Sequence, residues 1–183
     1  IRARIAAAKR HGTHSGMIDY SGCIYICDEL IRIVNETDSL ISDGEYTLAF
    51  SIDLLVLTSC AKLASTGDSS SGCLNDAVYY TNGAIAKICS SVLPGREAAQ
   101  FIYLSSLKES RNKAYDGWSE FVYDLLKCTA TLATAENVGK LYTLLDEMRD
   151  EQSEHPYSTY YDLDCQVRYE ATKVTEGTET ATA

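Results

Sequence analysis

The chain has 183 residues, 45% of them hydrophobic and 23% charged, which supplies apolar material for a packed core and rules out a disordered chain. With 11 Gly and 2 Pro it is neither collagenous nor of low complexity. A formal net charge of −10 and a pI near 4.7 argue against nucleic-acid phosphates and anionic membranes as partners, since both need a basic surface.

Apolar residues recur with a period near 3.6 along most of the chain, and no strand-like alternation persists. The N-terminus, Ile1-Arg2-Ala3-Arg4, has neither an initiator Met nor the apolar stretch of a signal peptide, so the chain is expected to be a piece of a longer protein. No window is expected to serve as a membrane span, because Ser51 and Asp53 interrupt Leu48 to Leu57. The seven cysteines, Cys23, Cys27, Cys60, Cys73, Cys89, Cys128 and Cys165, are odd in number and mostly lie inside apolar helical patterns. Reduced, buried thiols of a cytoplasmic protein are expected.

The predicted elements begin with a short basic helix over Arg2 to Arg10, broken by His11-Gly12-Thr13-His14-Ser15-Gly16. Asp19 is placed to cap a long second helix, whose stripe is Cys23, Ile26, Cys27, Leu30, Val34 and Ile41, with Asp28 and Arg32 as an ion pair on the far face. Ser42-Asp43-Gly44-Glu45 is a turn into Tyr46 to Ala64, a helix apolar almost all round and so expected to be covered by neighbours. Its one charge, Asp53, has no basic residue at i±3 or i±4. It either hydrogen-bonds within the core or lines a groove.

The Thr66 to Gly72 segment is a loop, followed by a helix from Cys73 to Ser91 that Leu93-Pro94-Gly95 ends. A helix over about Arg96 to Ser110 comes next. Asp116 is placed to cap another, with Trp118, Phe121, Val122, Leu125 and Thr129 as its stripe. Two more follow, over about Ala135 to Glu151 and, from a capping box at Thr159-x-x-Asp162, to Val174, with residues 175–183 as a frayed tail. The expected architecture is one all-α domain over residues 1–183: about seven helices in antiparallel hairpins, a degenerate tetratricopeptide-like right-handed solenoid or a bundle.

Chemistry-bearing patterns are few. His11-x2-His14 with Cys23-x3-Cys27 could form a tetrahedral N2S2 zinc site, although both cysteines also lie on the apolar stripe, where thiols serve as small core residues. No nucleophile–base order and no cofactor motif is recognisable. His155 precedes Pro156 in a loop with no nucleophile motif nearby. The serine-rich Asp68 to Gly72 loop lacks the Lys and the preceding strand of a P-loop. Thirteen Tyr against three Phe suit half-wet contact surfaces or the rims of a helical core. The acidic run of Asp146, Glu147, Asp150, Glu151 and Glu154 reads as a solvated helix face.

Arg10-His11-Gly12 followed by Gly16-Met17-Ile18-Asp19-Tyr20 resembles the RHGFIDY opening of the helical region that accompanies SWIM-type zinc fingers in bacterial proteins. Gly44-Glu45-Tyr46, Ala49-Phe50, the Asp68-Ser69-Ser70-Ser71-Gly72 loop and Tyr115-Asp116-Gly117-Trp118 are similar to later parts of that region, so the likeness spans residues 9–130. Thr13-His14-Ser15 interrupts the opening, and the C-x-C and C-x-H zinc ligands of the finger are missing, so the finger's zinc and DNA roles do not carry over. The resemblance implies a helical module for protein contact or scaffolding. The expected function is therefore non-catalytic protein interaction, with Asp19, Tyr20 and Asp53 as contact candidates. The alternatives are a ligand-binding or enzymatic helical domain with an acidic, Tyr-lined cleft, and a small zinc-binding domain at His11, His14, Cys23 and Cys27.

Overall fold

The structure is a computed structural model that describes residues 1–152 and 160–181. His155, Pro156, Glu154 and Thr159, on which parts of the sequence reading rest, lie outside the described residues. The described residues form an all-helical protein with no strand, only two isolated bridges, His14 with Met17 and Ile18 with Gly67. Eight helices of eleven residues or more are joined by turns, and Thr178–Ala181 adds one short helical turn.

Contacts divide the chain into two compact units, the first of Ile1–Ile88 with Lys113–Asp116, the second of Cys89–Asn112 with Gly117–Ala183. In the first, α1 (Arg2–Gly12) packs on α2 (Tyr20–Ser42), and α2 on α3 (Tyr46–Ala64). The α2 stripe expected from the sequence is buried at all six positions, together with Gly22, Ile33 and Thr37. Gly44, at φ +80°, takes the left-handed conformation that closes the turn into α3. Arg4 of α1 bridges Glu29 and Glu36 of α2 at 2.8 and 2.5 Å. Arg32 pairs with Glu29 at 3.6 Å, one position from the expected Asp28. The 3-10 turn Lys113–Tyr115 lies against α3, where the buried Tyr115 hydroxyl is 3.3 Å from that of Thr58.

Helix α3 runs over the residues that the hydrophobic pattern marks, but it is not covered all round. Phe50, Val56, Leu57, Cys60 and Leu63 are buried, whereas Leu48 is exposed and Ile52, Leu54 and Leu55 are half-buried. By length and composition α3 is also the one helix among the described residues apolar enough to cross a membrane, and 56% of that window is buried inside the protein. Helix α4 (Cys73–Ser91) begins in the first unit and ends in the second.

The second unit packs α6 (Ser119–Ala130) against α5 (Glu97–Glu109) and α8 (Tyr160–Thr175), with α7 (Val138–Gln152) on α8. Thr129 bonds the Ser106 hydroxyl at 2.8 Å, joining α6 to α5 in the core. Arg168 of α8 binds Asp164 and Asp146, and Arg111 binds Glu147, so the acidic face of α7 is partly neutralised by arginines. Asp116 does not cap α6. Helix α6 begins only at Ser119, so Trp118, half-buried and stacked on Phe121, holds the cap position and Asp116 lies two residues before it.

Candidate functional site

The turn between α1 and α2 is built by short-range chemistry. Thr13 closes α1 with its hydroxyl on Lys9 O at 2.6 Å. Ser15 and Gly16 take positive φ, and His14 and Met17 exchange backbone hydrogen bonds at 2.8 and 3.0 Å. Asp19 caps α2 by accepting from the Gly22 amide at 2.8 Å. Ile18 O, left free by this geometry, accepts from the Asp68 amide at 3.0 Å. That bond fastens the loop after α3 to the start of α2, some fifty residues earlier in the chain.

Two consequences follow for the residues singled out by sequence. Cys23 and Cys27, one helical turn apart, face the same way, and the anchored loop delivers Cys73, the first residue of α4, to that face. The sulfurs of Cys23, Cys27 and Cys73 all lie within 4.8 Å of one another, with Cys73 Sγ 3.7 Å from Cys23 Sγ. Cys23 and Cys27 are buried and Cys73 is half-buried. The two histidines take no part in this group: both are exposed, and His11 instead rests on Tyr25 with ring centroids 4.4 Å apart.

Burial governs the chemistry of these thiols. It pushes Cys23 up to about 11, with the neighbouring Cys73 thiol adding to the effect. Burial also raises Cys27, and Cys73 adds to it. Cys60 of α3, fully buried and electrostatically in range of all three, is pushed up to about 12 by burial. Cys23, Cys27 and Cys60 are therefore neutral at physiological pH unless something draws their protons off. Three convergent sulfurs can pack as small apolar groups or ligate a thiophilic ion.

Of the contact candidates, Tyr20 is half in water, whereas the Asp19 carboxylate is committed to its cap. Asp53 is 0% exposed, so it lines no open groove. The Thr37 hydroxyl donates to Val34 O at 2.7 Å and reaches the Asp53 oxygens only at 3.3 and 3.5 Å. Burial pushes the Asp53 carboxyl up to about 8, against a lowering by Thr37.

Sequence reasoning missed Cys73 and the exposed Met17. Cys73 carries no local signal, because its meeting with Cys23 depends on a backbone bond between Ile18 and Asp68. Comparison with family models, curated proteins and solved structures gives no match to this chain.

Proposed function

We propose that this chain is a non-catalytic helical module that works by contact with a protein partner in the cytoplasm, as part of a larger bacterial protein of the kind that carries SWIM-type zinc fingers. The reading places its helices in hairpins of the degenerate tetratricopeptide kind, for which the α2–α3 pair around Gly44 is the support.

The observation that carries the contact reading is the α1–α2 turn. Met17 is 70% and Tyr20 50% exposed, on a backbone already fastened at His14–Met17, Asp19–Gly22 and Ile18–Asp68. A large apolar pair held in water by a rigid turn has little ordering entropy left to lose on binding. Met and Tyr are also enriched at the centres of protein interfaces. The same residues belong to the stretch that resembles the SWIM-associated region.

The test places a photo-crosslinking residue at position 20 in cells of the source, with position 161, more exposed still and in the second unit, as control. A defined adduct from position 20, lost on Met17→Ser and absent from position 161, supports the proposal. Adducts from position 20 no different from those at 161 overturn it.

A further inference from the structure

We infer that Cys23, Cys27 and Cys73 form a three-thiolate site for a soft d10 metal ion, zinc or cuprous copper. The spacing carries the proposal. An ion about 2.3 Å from each sulfur holds its ligands roughly 3.8–4.0 Å apart, in tetrahedral or trigonal geometry. The observed sulfurs lie within 4.8 Å of one another, with one pair at 3.7 Å, so closure asks for side-chain adjustment only. Two ligands sit one turn apart on a single helix, and the third opens another, so rigid elements hold all three.

The chemistry is consistent at each step. Thiolate sulfur selects zinc and cuprous copper over hard, oxygen-seeking ions. On binding, three S–H bonds break and three protons pass to solvent. Three metal–sulfur bonds form, and no electron changes hands. Cys73, half-buried, offers the way in, while Cys23 and Cys27 are shielded from water. With zinc the site carries one net negative charge, from three thiolates against one divalent ion. The site differs from the N2S2 arrangement expected from sequence: its third ligand is Cys73, and neither His11 nor His14 belongs to it.

The test uses the full chain, reduced and metal-free. Zinc is titrated against a chromophoric chelator, cuprous copper against a cuprous-specific chelator without oxygen, and cobalt serves as the spectroscopic stand-in for zinc. The expected result is one ion per chain, with a thiolate-to-cobalt charge-transfer absorption. Cys73→Ser should weaken binding by more than the roughly 10–100-fold that loss of an outer-shell partner costs. Cys27→Ala should do the same, and Cys165→Ser, at the exposed thiol, should change nothing. Circular dichroism establishes that each variant is folded before titration. Tight binding of either ion with this pattern supports the site. Failure of both ions to compete with the chelators overturns it, as does a folded Cys73→Ser protein that binds like the parent.

Discussion

Gly12, at the end of α1, and Gly22, in the first turn of α2, meet backbone to backbone: a methyl group on Gly22 would stand 1.9 Å from the Gly12 carbonyl oxygen. Gly22 thus serves the crossing of the two helices while its amide takes the Asp19 cap. Gly22→Ala gains up to about 1 kcal/mol of helix propensity. It sets against this a clash with backbone that cannot rotate away. A net loss of roughly 1–3 kcal/mol is expected, read as a lower denaturation midpoint with α1 amides losing protection in hydrogen exchange. A variant as stable as the parent would show that α1 does not hold this close approach.

Asp53 predicts a pH dependence with a definite sign. Its folded-state value, about 8, lies above the ordinary 3.8, so the folded state resists ionisation. Asp53 costs no stability below about pH 4. As pH rises from there the unfolded chain ionises first, and stability falls by up to about 1.4 kcal/mol per pH unit until about pH 8. The groups facing it are the Thr37 hydroxyl and, electrostatically, Asp38. Asp53→Asn removes this term. The variant should be more stable than the parent at pH 7 by urea denaturation, and the gap should close by pH 4. A gap of the same size at both pH values would sink the assignment.

Helix α3 offers an internal comparison. Leu57→Ala, at a fully buried position, should cost about 2–5 kcal/mol. Leu48→Ala, on the same helix but half in water, should cost within about 0.5 kcal/mol. Thermal or chemical melts of the pair check both, and equal costs would mean that the Leu48 face is covered in solution.

In the second unit, the Thr129 and Ser106 hydroxyls meet at 2.8 Å where both residues are 0% exposed. Thr129→Val keeps the shape and removes one hydroxyl, leaving Ser106 bonded to Tyr103 O at 2.7 Å. A loss of about 1 kcal/mol is expected. Thr129→Val with Ser106→Ala should cost less than the sum of the single changes. Additive losses in chemical melts would break the predicted coupling.

Helix boundaries and core faces were readable from the chain because they depend on near neighbours. The bounds of α3 and α4, the six-residue stripe of α2 and the Asp19 cap all follow from a 3.6 period, a turn glycine or a carboxylate one position before a helix. The failures have equally physical reasons. Leu48, Ile52 and Leu55 read as core because hydrophobicity states what a side chain would gain by burial, not whether a neighbour exists to bury it. Asp116 read as a cap because it precedes a helix, but α6 starts at Ser119, so the cap position falls on Trp118 instead.

The amino-acid sequence by itself determined an all-helical chain, where most of its helices start and stop, and that Cys23 and Cys27 share one face. Only the tertiary structure decided that Cys73 joins them, that His11 and His14 stand apart, and that Asp53 is sealed from water. Those outcomes are tertiary: Asp53 meets Thr37 across the α2–α3 hairpin, and Cys73 follows a loop held by the backbone bond from Asp68 to Ile18 O at 3.0 Å. Any residue but proline can donate a backbone hydrogen bond, so nothing in the side chains marks where that bond will form.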